Sequence, residues 1–556
     1  GPKPQAHRFI SSDLFKVMEG AALMIKAEPS AAVEKRMDEI IDIIGRAQAN
    51  DGYLYASHQT GAIHPREMGL RPYAYVLHSH ELYNMGHMYE AAAAYYQATG
   101  KDAFLKIAEK SARHVNKVFF EGDPNYNDGK PIRQAPGHQE IELGLIKLYR
   151  VTENRLYLDL VKKFLDVRGV TLVPDGHGVN SATYAQQHKP VAQQEKAVGH
   201  AVRAVYQYAA MAEIDSALGQ ECYTDALDKI WHDIIDTKMH ITGGLGAIHG
   251  IEGFGPEYEL PNEQAYNETC AAVANVFFNY RMFLKYRDGK YLDVAEISLL
   301  NNSLAGVSLD GRRFFYPNPL EVKRRHKQRS GWFGCACCPA NITRLIPQVA
   351  GYLYAHTGDA IYCALYGGSK TTIPLNAGKV ELVQKTDYPF SGSIAITLTP
   401  EPQQTFTLNL RIPTWAGEKF VPGALYRYTV PCGAWMLLVN GEPVTPVVDK
   451  GYIAITREWK KGDRVELQLP LEVKVNTCMD KVKANVGRAA ITRGPLVYCA
   501  EEKDNGGMVQ RFYIDPAAIP GEALEQPLDR VLFSGIKALQ IPARELRHRE
   551  RAEAKM

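Results

Sequence analysis

The hydrophobic period of this chain changes once, near residue 355, and that change limits the possible folds more than any other feature. Before it, apolar residues recur at every third or fourth position, as in Phe104–Phe120, Glu140–Arg150 and Ala271–Lys285. That is the spacing of amphipathic helices. Turn signals such as Thr99-Gly100-Lys101-Asp102 and Arg287-Asp288-Gly289-Lys290 separate these segments. After it, Thr405–Leu410 and the run from Arg464 to Val475 alternate apolar and polar residues, the period of half-buried strands. Asn440-Gly441 and Lys461-Gly462-Asp463 read as hairpin turns. With 556 residues the chain exceeds what one hydrophobic core supports. The expected fold class is therefore multidomain α plus β: a helical domain over 1–355, a β-sandwich over 356–470, and over 471–556 a second β-rich domain or an extension of the sandwich. Arg544–Met556 is charged and helix-prone.

A weak repeat runs through the helical part. Gly86-His87, Gly137-His138 and Gly199-His200 each stand where a helix pair is expected to open, and Asn267-Glu268 opens a fourth such unit. Several helix pairs of this kind can close into a toroid, which would bring His87, His138, His200 and Glu268 to one mouth. Histidines that only cap or pack their helices remain the alternative.

The nine cysteines are odd in number and unevenly spread, with Cys335, Cys337 and Cys338 within four residues. In a chain of this length the pattern reads as metal binding or catalysis, not as a disulfide framework. Glu268-Thr269-Cys270 and Cys337-Cys338 together offer one carboxylate and three thiolates, a donor set suited to zinc (Zn2+). Residues two apart converge only at a helix end, and adjacent cysteines only at a turn. Pro339 marks a helix start beside that turn. A structural zinc, a catalytic zinc and no zinc all stay open on these residues alone. Catalysis with a thiolate also needs a proton donor. The Gly-rich loop Gly250–Asn262 holds Glu252, Glu257 and Glu259. Glu252, flanked by glycine and apolar residues, is the expected acid, with a raised pKa. Glu257 and Glu259 read as solvated.

The chain resembles glycoside hydrolase family 127 and the neighbouring family 146. The segments that carry the resemblance are His80–His87, Gly137–Glu140, Gly199–Ala204, Tyr258–Asn262, Tyr266–Ala271, Cys337–Asn341, Leu410–Pro413 and Arg493–Tyr498. The resemblance implies an (α/α)6-barrel catalytic domain followed by β-sandwich domains, and retaining hydrolysis of β-L-arabinofuranosides. It implies zinc on Glu268, Cys270, Cys337 and Cys338, Cys337 as nucleophile and Glu252 as general acid/base. It further implies sugar contacts from His87, His138, His200 and Tyr316. The acid loop, Gly250-Ile251-Glu252-Gly253-Phe254 after His249, departs from the family's Gly-Glu-Ala/Ser-Phe pattern. An acidic or branched pectin L-sugar such as aceric acid is the alternative substrate, with His249, Arg312 or Arg313 pairing to a carboxylate. A carbohydrate-binding protein with a structural zinc and no turnover is the alternative of another class.

The partner expected is an oligosaccharide or glycoside. A formal charge of +2 gives no reason to invoke nucleic acid or a membrane, and no apolar run approaches the length that spans a bilayer. The first residues lack the apolar core of a signal peptide. A cytoplasmic or a periplasmic location, and a homodimer through the C-terminal sandwich, are both compatible with the sequence.

Overall fold

The computed structural model describes residues 7–322, 328–528 and 535–546. Its chain divides into two compact units. The first runs to Arg287 and resumes with Asn302–Leu320 and the segment ending at Tyr352; the second takes Asp288–Asn301 and the chain from Leu353 onward.

In the first unit, helices pack in a closed order. Ile10–Ala27 lies against Glu81–Thr99, which lies against Ile141–Thr152. Ala201–Leu218, Thr269–Tyr286 and Cys337–Leu345 follow, and the last returns to Ile10–Ala27. Composition explains which helices are inside. Glu81–Thr99 is buried without interruption from Glu81 to Tyr95, and Ala201–Leu218 from Ala201 to Asp215. Both are rich in alanine and apolar residues all round, so each can be enclosed on every side. Ala31–Ala47, Ala103–Asn116, Arg155–Val167 and Thr224–Thr237 each follow one of these helices and bury a single stripe, such as Tyr157, Leu158, Val161 and Phe164.

The expected turn signals act as helix punctuation. Gly100 ends its helix in the left-handed region at φ 73°. The Asp288 side chain accepts from the Lys290 amide, 3.0 Å away, to cap the next helix.

The repeat needs one correction. Gly199-His200 precedes a helix, with His200 at the N-cap, and Gly137-His138 lies just ahead of Ile141. Gly86-His87, in contrast, sits in the second turn of a helix that begins at Glu81. Gly86 serves helix contact: a Cβ there would lie 2.6 Å from the Glu140 carbonyl. The residue at the equivalent helix end is His80, the N-cap of Glu81–Thr99.

The second unit carries the sheets. One orders its strands Tyr354–His356, Ala360–Cys363, Gln404–Arg411, Tyr452–Trp459 and Val448–Asp449; another contains Ser369–Leu375, Gly378–Thr386, Ser393–Glu401, Asp463–Gln468, Met436–Val439 and Glu442–Pro443. Asn440-Gly441 makes a two-residue hairpin with φ of 54° and 85°, as read from the sequence. Lys461-Gly462-Asp463 does not, because the strands on either side of it belong to different sheets. The alternating run from Arg464 also breaks. Asp463–Gln468 ends before Pro470, which has no N–H for a ladder, and Val473–Cys478 pairs instead with Ala489–Arg493 and Tyr426–Tyr428. Around that last sheet Val473, Val475 and Ile519 form a small core of their own. Arg544–Glu545 is a short strand paired with Phe512–Tyr513, not helix, and residues 547–556 lie outside the described residues.

Arg411, fully buried, holds the helix Gly289–Ile297 within this unit through Asp293 at 2.5 Å and Glu296 at 2.6 Å. Arg411→Met leaves two buried carboxylates without their cation. It is expected to cost about 3–5 kcal/mol, read as a lowered denaturant midpoint. No helix of the described residues is long and apolar enough to cross a membrane.

Candidate active site

Two helix N-termini in the first unit bring the sulfur ligands together. Glu268 is the N-cap residue of Thr269–Tyr286, and Cys270 follows in its first turn. Cys337 opens Cys337–Leu345, with Cys338 next. Because all four residues sit at helix ends, their side chains converge as the spacing required. Glu268, Cys270, Cys337 and Cys338 each present a ligand atom within 4.8 Å of the others. Cys270 and Cys338 Sγ are 3.3 Å apart, Cys337 and Cys338 Sγ 3.9 Å, and Glu268 Oε1 lies 3.6 Å from Cys337 Sγ and 3.8 Å from Cys338 Sγ. Glu268, Cys270 and Cys338 are buried while Cys337 is half-exposed, so the group is open at position 337.

The electrostatics of the group fit a cation at its centre. Burial pushes the Glu268 carboxyl well above its usual range, and the charges of Cys337 and Glu252 push the same way. Burial likewise raises the Cys338 thiol. Burial opposes ionisation of Cys270 as well, but thiol contacts from Cys337 and Cys338 bring it down. Four acids packed this tightly cannot all ionise in a low-dielectric setting. Glu268 Oε2 is buried and without a hydrogen-bond partner. A divalent cation at the centre removes both conflicts.

Glu252 ends the short turn His249–Ile251 in the left-handed region at φ 49°. Its carbonyl accepts from the Ala201 amide at 3.1 Å, and Gly253 is bridged to both His200 and Ile248. A Cβ on Gly253 would lie 2.1 Å from the Gly199 carbonyl oxygen, which explains the glycine there. The loop is thus sewn to the start of Ala201–Leu218. The Glu252 carboxylate accepts from the Tyr266 hydroxyl at 2.7 Å and lies 3.2 Å from His200 Nε2. His200 Nδ1 accepts from the Arg203 amide, which assigns the proton to Nε2 and makes it the donor to Glu252. Glu252, His200 and Glu268 offer ligand atoms within 4.8 Å of one another. Glu268 therefore belongs both to the sulfur group and to the Glu252 group.

The expected raised pKa of Glu252 is not found. Burial does push it up, but the His200 hydrogen bond and charge and the Tyr266 hydroxyl bring it below the usual range.

The Tyr316 hydroxyl lies 3.1 Å from Cys337 Sγ. His138 and His200 have ring centroids 5.7 Å apart. His87 does not join them. It is fully buried, with Nδ1 2.9 Å from Glu140 Oε1. His80 takes that place, its ring 5.9 Å from His138.

Of the residues proposed for an acidic sugar, His249 packs edge-on against Tyr266 at 4.9 Å, whereas Arg312 and Arg313 are exposed on a turn. Glu257 and Glu259 are exposed. A cavity of about 770 Å³ runs along Val198, Gly199, Ile251 and Phe254, flanking the Glu252 loop and not the sulfurs; the chemistry is concentrated at the cysteines.

Residues 3–351 match the model of the family 127 β-L-arabinofuranosidase catalytic domain, 360–471 that of its middle domain and 473–556 that of its C-terminal domain. The chain belongs to glycoside hydrolase family 127. It is similar to a non-reducing end β-L-arabinofuranosidase of Bifidobacterium longum subsp. longum, with 33% identity covering 96% of this chain and 82% of that protein. Among solved structures, a family 127 β-arabinofuranosidase is 41% identical over 99% of this chain and 84% of its own, with a TM-score of 0.92. A family 127 β-L-arabinofuranosidase from Geobacillus stearothermophilus T6 is 38% identical over 96% of this chain and 83% of its own, with a TM-score of 0.86.

This family 127 glycoside hydrolase also contains site residues that the sequence reading left without a role. Tyr266, His80 and Cys335 all touch the site, Cys335 through Cys337 Sγ at 3.9 Å. A signal existed for Tyr266: it stands two residues before Glu268 inside the Tyr266–Ala271 motif.

Proposed function

We propose that the enzyme removes terminal β-L-arabinofuranosyl units from glycosides with retention, using Cys337 as nucleophile, Glu252 as acid/base and zinc on Glu268, Cys270, Cys337 and Cys338. The observation that carries this reading is the double membership of Glu268, which ties the sulfur group to Glu252 and His200 within a few ångströms. The closed order of inner helices supports an (α/α)6 barrel as the scaffold. The donor geometry supports zinc. With metal–sulfur bonds of about 2.3 Å, a tetrahedron has sulfur–sulfur edges of about 3.8 Å, against the 3.3 and 3.9 Å here. Zinc bound there would hold the Cys337 sulfur as an anion and ease its later departure.

In the first step Cys337 attacks the anomeric carbon while Glu252 protonates the departing oxygen, giving a thioglycosyl enzyme. In the second, Glu252 takes a proton from water, the water attacks the same carbon and the carbon–sulfur bond breaks. His200, neutral and donating its Nε2 hydrogen, holds the Glu252 carboxylate in place. The Tyr266 hydroxyl steadies the carboxylate form needed for the second step. His80, His138 and His200 line the mouth as sugar hydrogen-bond partners, and Tyr316 orients the Cys337 sulfur.

The exposed positions of Arg312 and Arg313 favour a neutral sugar over an acidic one. Turnover of aryl β-L-arabinofuranosides with a retained first product tests the assignment; hydrolysis of acidic pectin sugars alone would overturn it. Dialysis against a chelator is expected to abolish activity, and one equivalent of zinc to restore it. Full activity in metal-free protein would remove zinc from the mechanism.

A further inference from the structure

One buried cation beside the sulfur cluster has no part in the chemistry above. Lys16, on Ile10–Ala27, is 0% exposed. Its ammonium donates to the Tyr83 hydroxyl at 2.8 Å, and the carboxylate beside it, Asp13, is 3.9 Å away. An ammonium is kept out of water only against compensating negative charge. The charges that bear on it come from Asp13, then Cys337, Tyr206 and Cys270. Those of Cys337 and Cys270 reach Tyr83 as well. The two helices involved are in direct contact, since a Cβ on Gly20 would lie 2.5 Å from the Thr343 carbonyl oxygen. Lys16 is therefore held by packing on the helix that lies against the Cys337 helix.

The ligand set explains why such a cation is useful. Three thiolates and a carboxylate around a divalent ion leave an excess of negative charge in a buried place. Arg344, buried on the Cys337 helix, is already engaged by Glu19 at 3.2 Å, by Glu90 and by Glu140 at 3.7 Å. Lys16, sealed on the helix that packs against Cys337–Leu345, donates to Tyr83 and has the Asp13 carboxylate at 3.9 Å, which leaves its charge to answer part of the excess.

We propose that Lys16 is a positioning residue of the catalytic centre, whose sealed ammonium offsets the negative charge of the metal–thiolate group and so holds the metal and the Cys337 thiolate in place. The proposal rests on the zinc reading given above.

The test compares Lys16→Met and Lys16→Arg in the full chain. Zinc affinity is read by competition with a chromophoric chelator, and kcat and KM are measured on the zinc-loaded protein. Lys16→Met is expected to weaken zinc binding about 10–100-fold and to lower kcat with little change in KM. Lys16→Arg, which keeps the charge, should recover a substantial part of both. A packing role predicts the reverse order, because methionine matches the shape of lysine better than arginine does, and that order would overturn the proposal. So would wild-type affinity in Lys16→Met. If Lys16→Met does not fold, Tyr83→Phe decides: a several-fold fall in zinc affinity supports the proposal and an unchanged affinity refutes it. Wild-type protein that binds no zinc refutes the zinc reading and this proposal together, whereas zinc-binding wild type with an unaffected Lys16→Met refutes only this one.

Discussion

Cys337→Ser is expected to lower kcat on the order of 10⁴-fold or more while the protein stays folded. The substitution changes one atom at a half-exposed position, so it removes little buried surface. It does remove the least buried sulfur of the Glu268, Cys270, Cys337 and Cys338 group. An alcohol is a far weaker nucleophile than a thiolate, and the alkoxide that would have to leave in the second step is a poorer leaving group. Cys270 and Cys338 cannot take over, because both are buried behind position 337. Circular dichroism and an aryl glycoside assay measure the two sides of the prediction. A cyclophellitol-type covalent inhibitor supplies the positive control: it should add its mass to the peptide carrying Cys337 in the wild type and not in the variant. Activity within tenfold of wild type would make Cys337 a ligand only and return the reaction to a metal-activated water.

Glu252→Gln is expected to cost about 10²–10⁴-fold in kcat, with a signature that separates acid from base. Glutamine keeps the shape and can still meet Tyr266 and His200, whose contacts now stand at 2.7 and 3.2 Å. It cannot deliver a proton. Substrates with a good leaving group need no proton in the first step, so 4-nitrophenyl glycosides should form the thioglycosyl enzyme nearly normally and then stall. Azide, which attacks without base help, should release the stalled sugar as the glycosyl azide of retained configuration. A variant equally slow on good and poor leaving groups, and deaf to azide, would show that Glu252 binds and does not transfer protons. In the wild type, ionisation of Glu252 should set the alkaline limb of kcat/KM, and that limb should lie toward the acid side because the hydrogen bonds from His200 and Tyr266 hold the carboxyl below its usual range.

The parts of this site that were legible in the sequence are those whose chemistry forces a local geometry. Glu268-x-Cys270 and Cys337-Cys338 can converge only at chain ends of helices, and that is where they lie. The change of period near residue 355 was legible for a similar reason, because burial on one face imposes it residue by residue. Other parts depend on partners distant in the chain. The direction of the Glu252 shift is decided by His200, 52 residues earlier, and by a hydroxyl from Tyr266. Gly-His pairs read alike, yet Gly86 is glycine because Glu140 crosses it, while Gly199 is glycine because its φ is 71° and the Thr183 carbonyl crosses it. The ring that lies beside His138 is accordingly that of His80, while His87 is fully buried. The run from Arg464 kept its alternation through Pro470 although the strand stops there, since period two records which face is buried and not which neighbour is paired.

The excursion of the chain through Asp288–Asn301 has a practical consequence for anyone trimming this enzyme. A fragment cut after Tyr352 would retain both cysteine motifs, Glu252 and His200. It would also retain Asp293 and Glu296, two carboxylates now orphaned of Arg411, on the stretch that links the motifs. The half that carries the chemistry is thus not a portable cassette: the tail of the polypeptide finishes a piece of its middle.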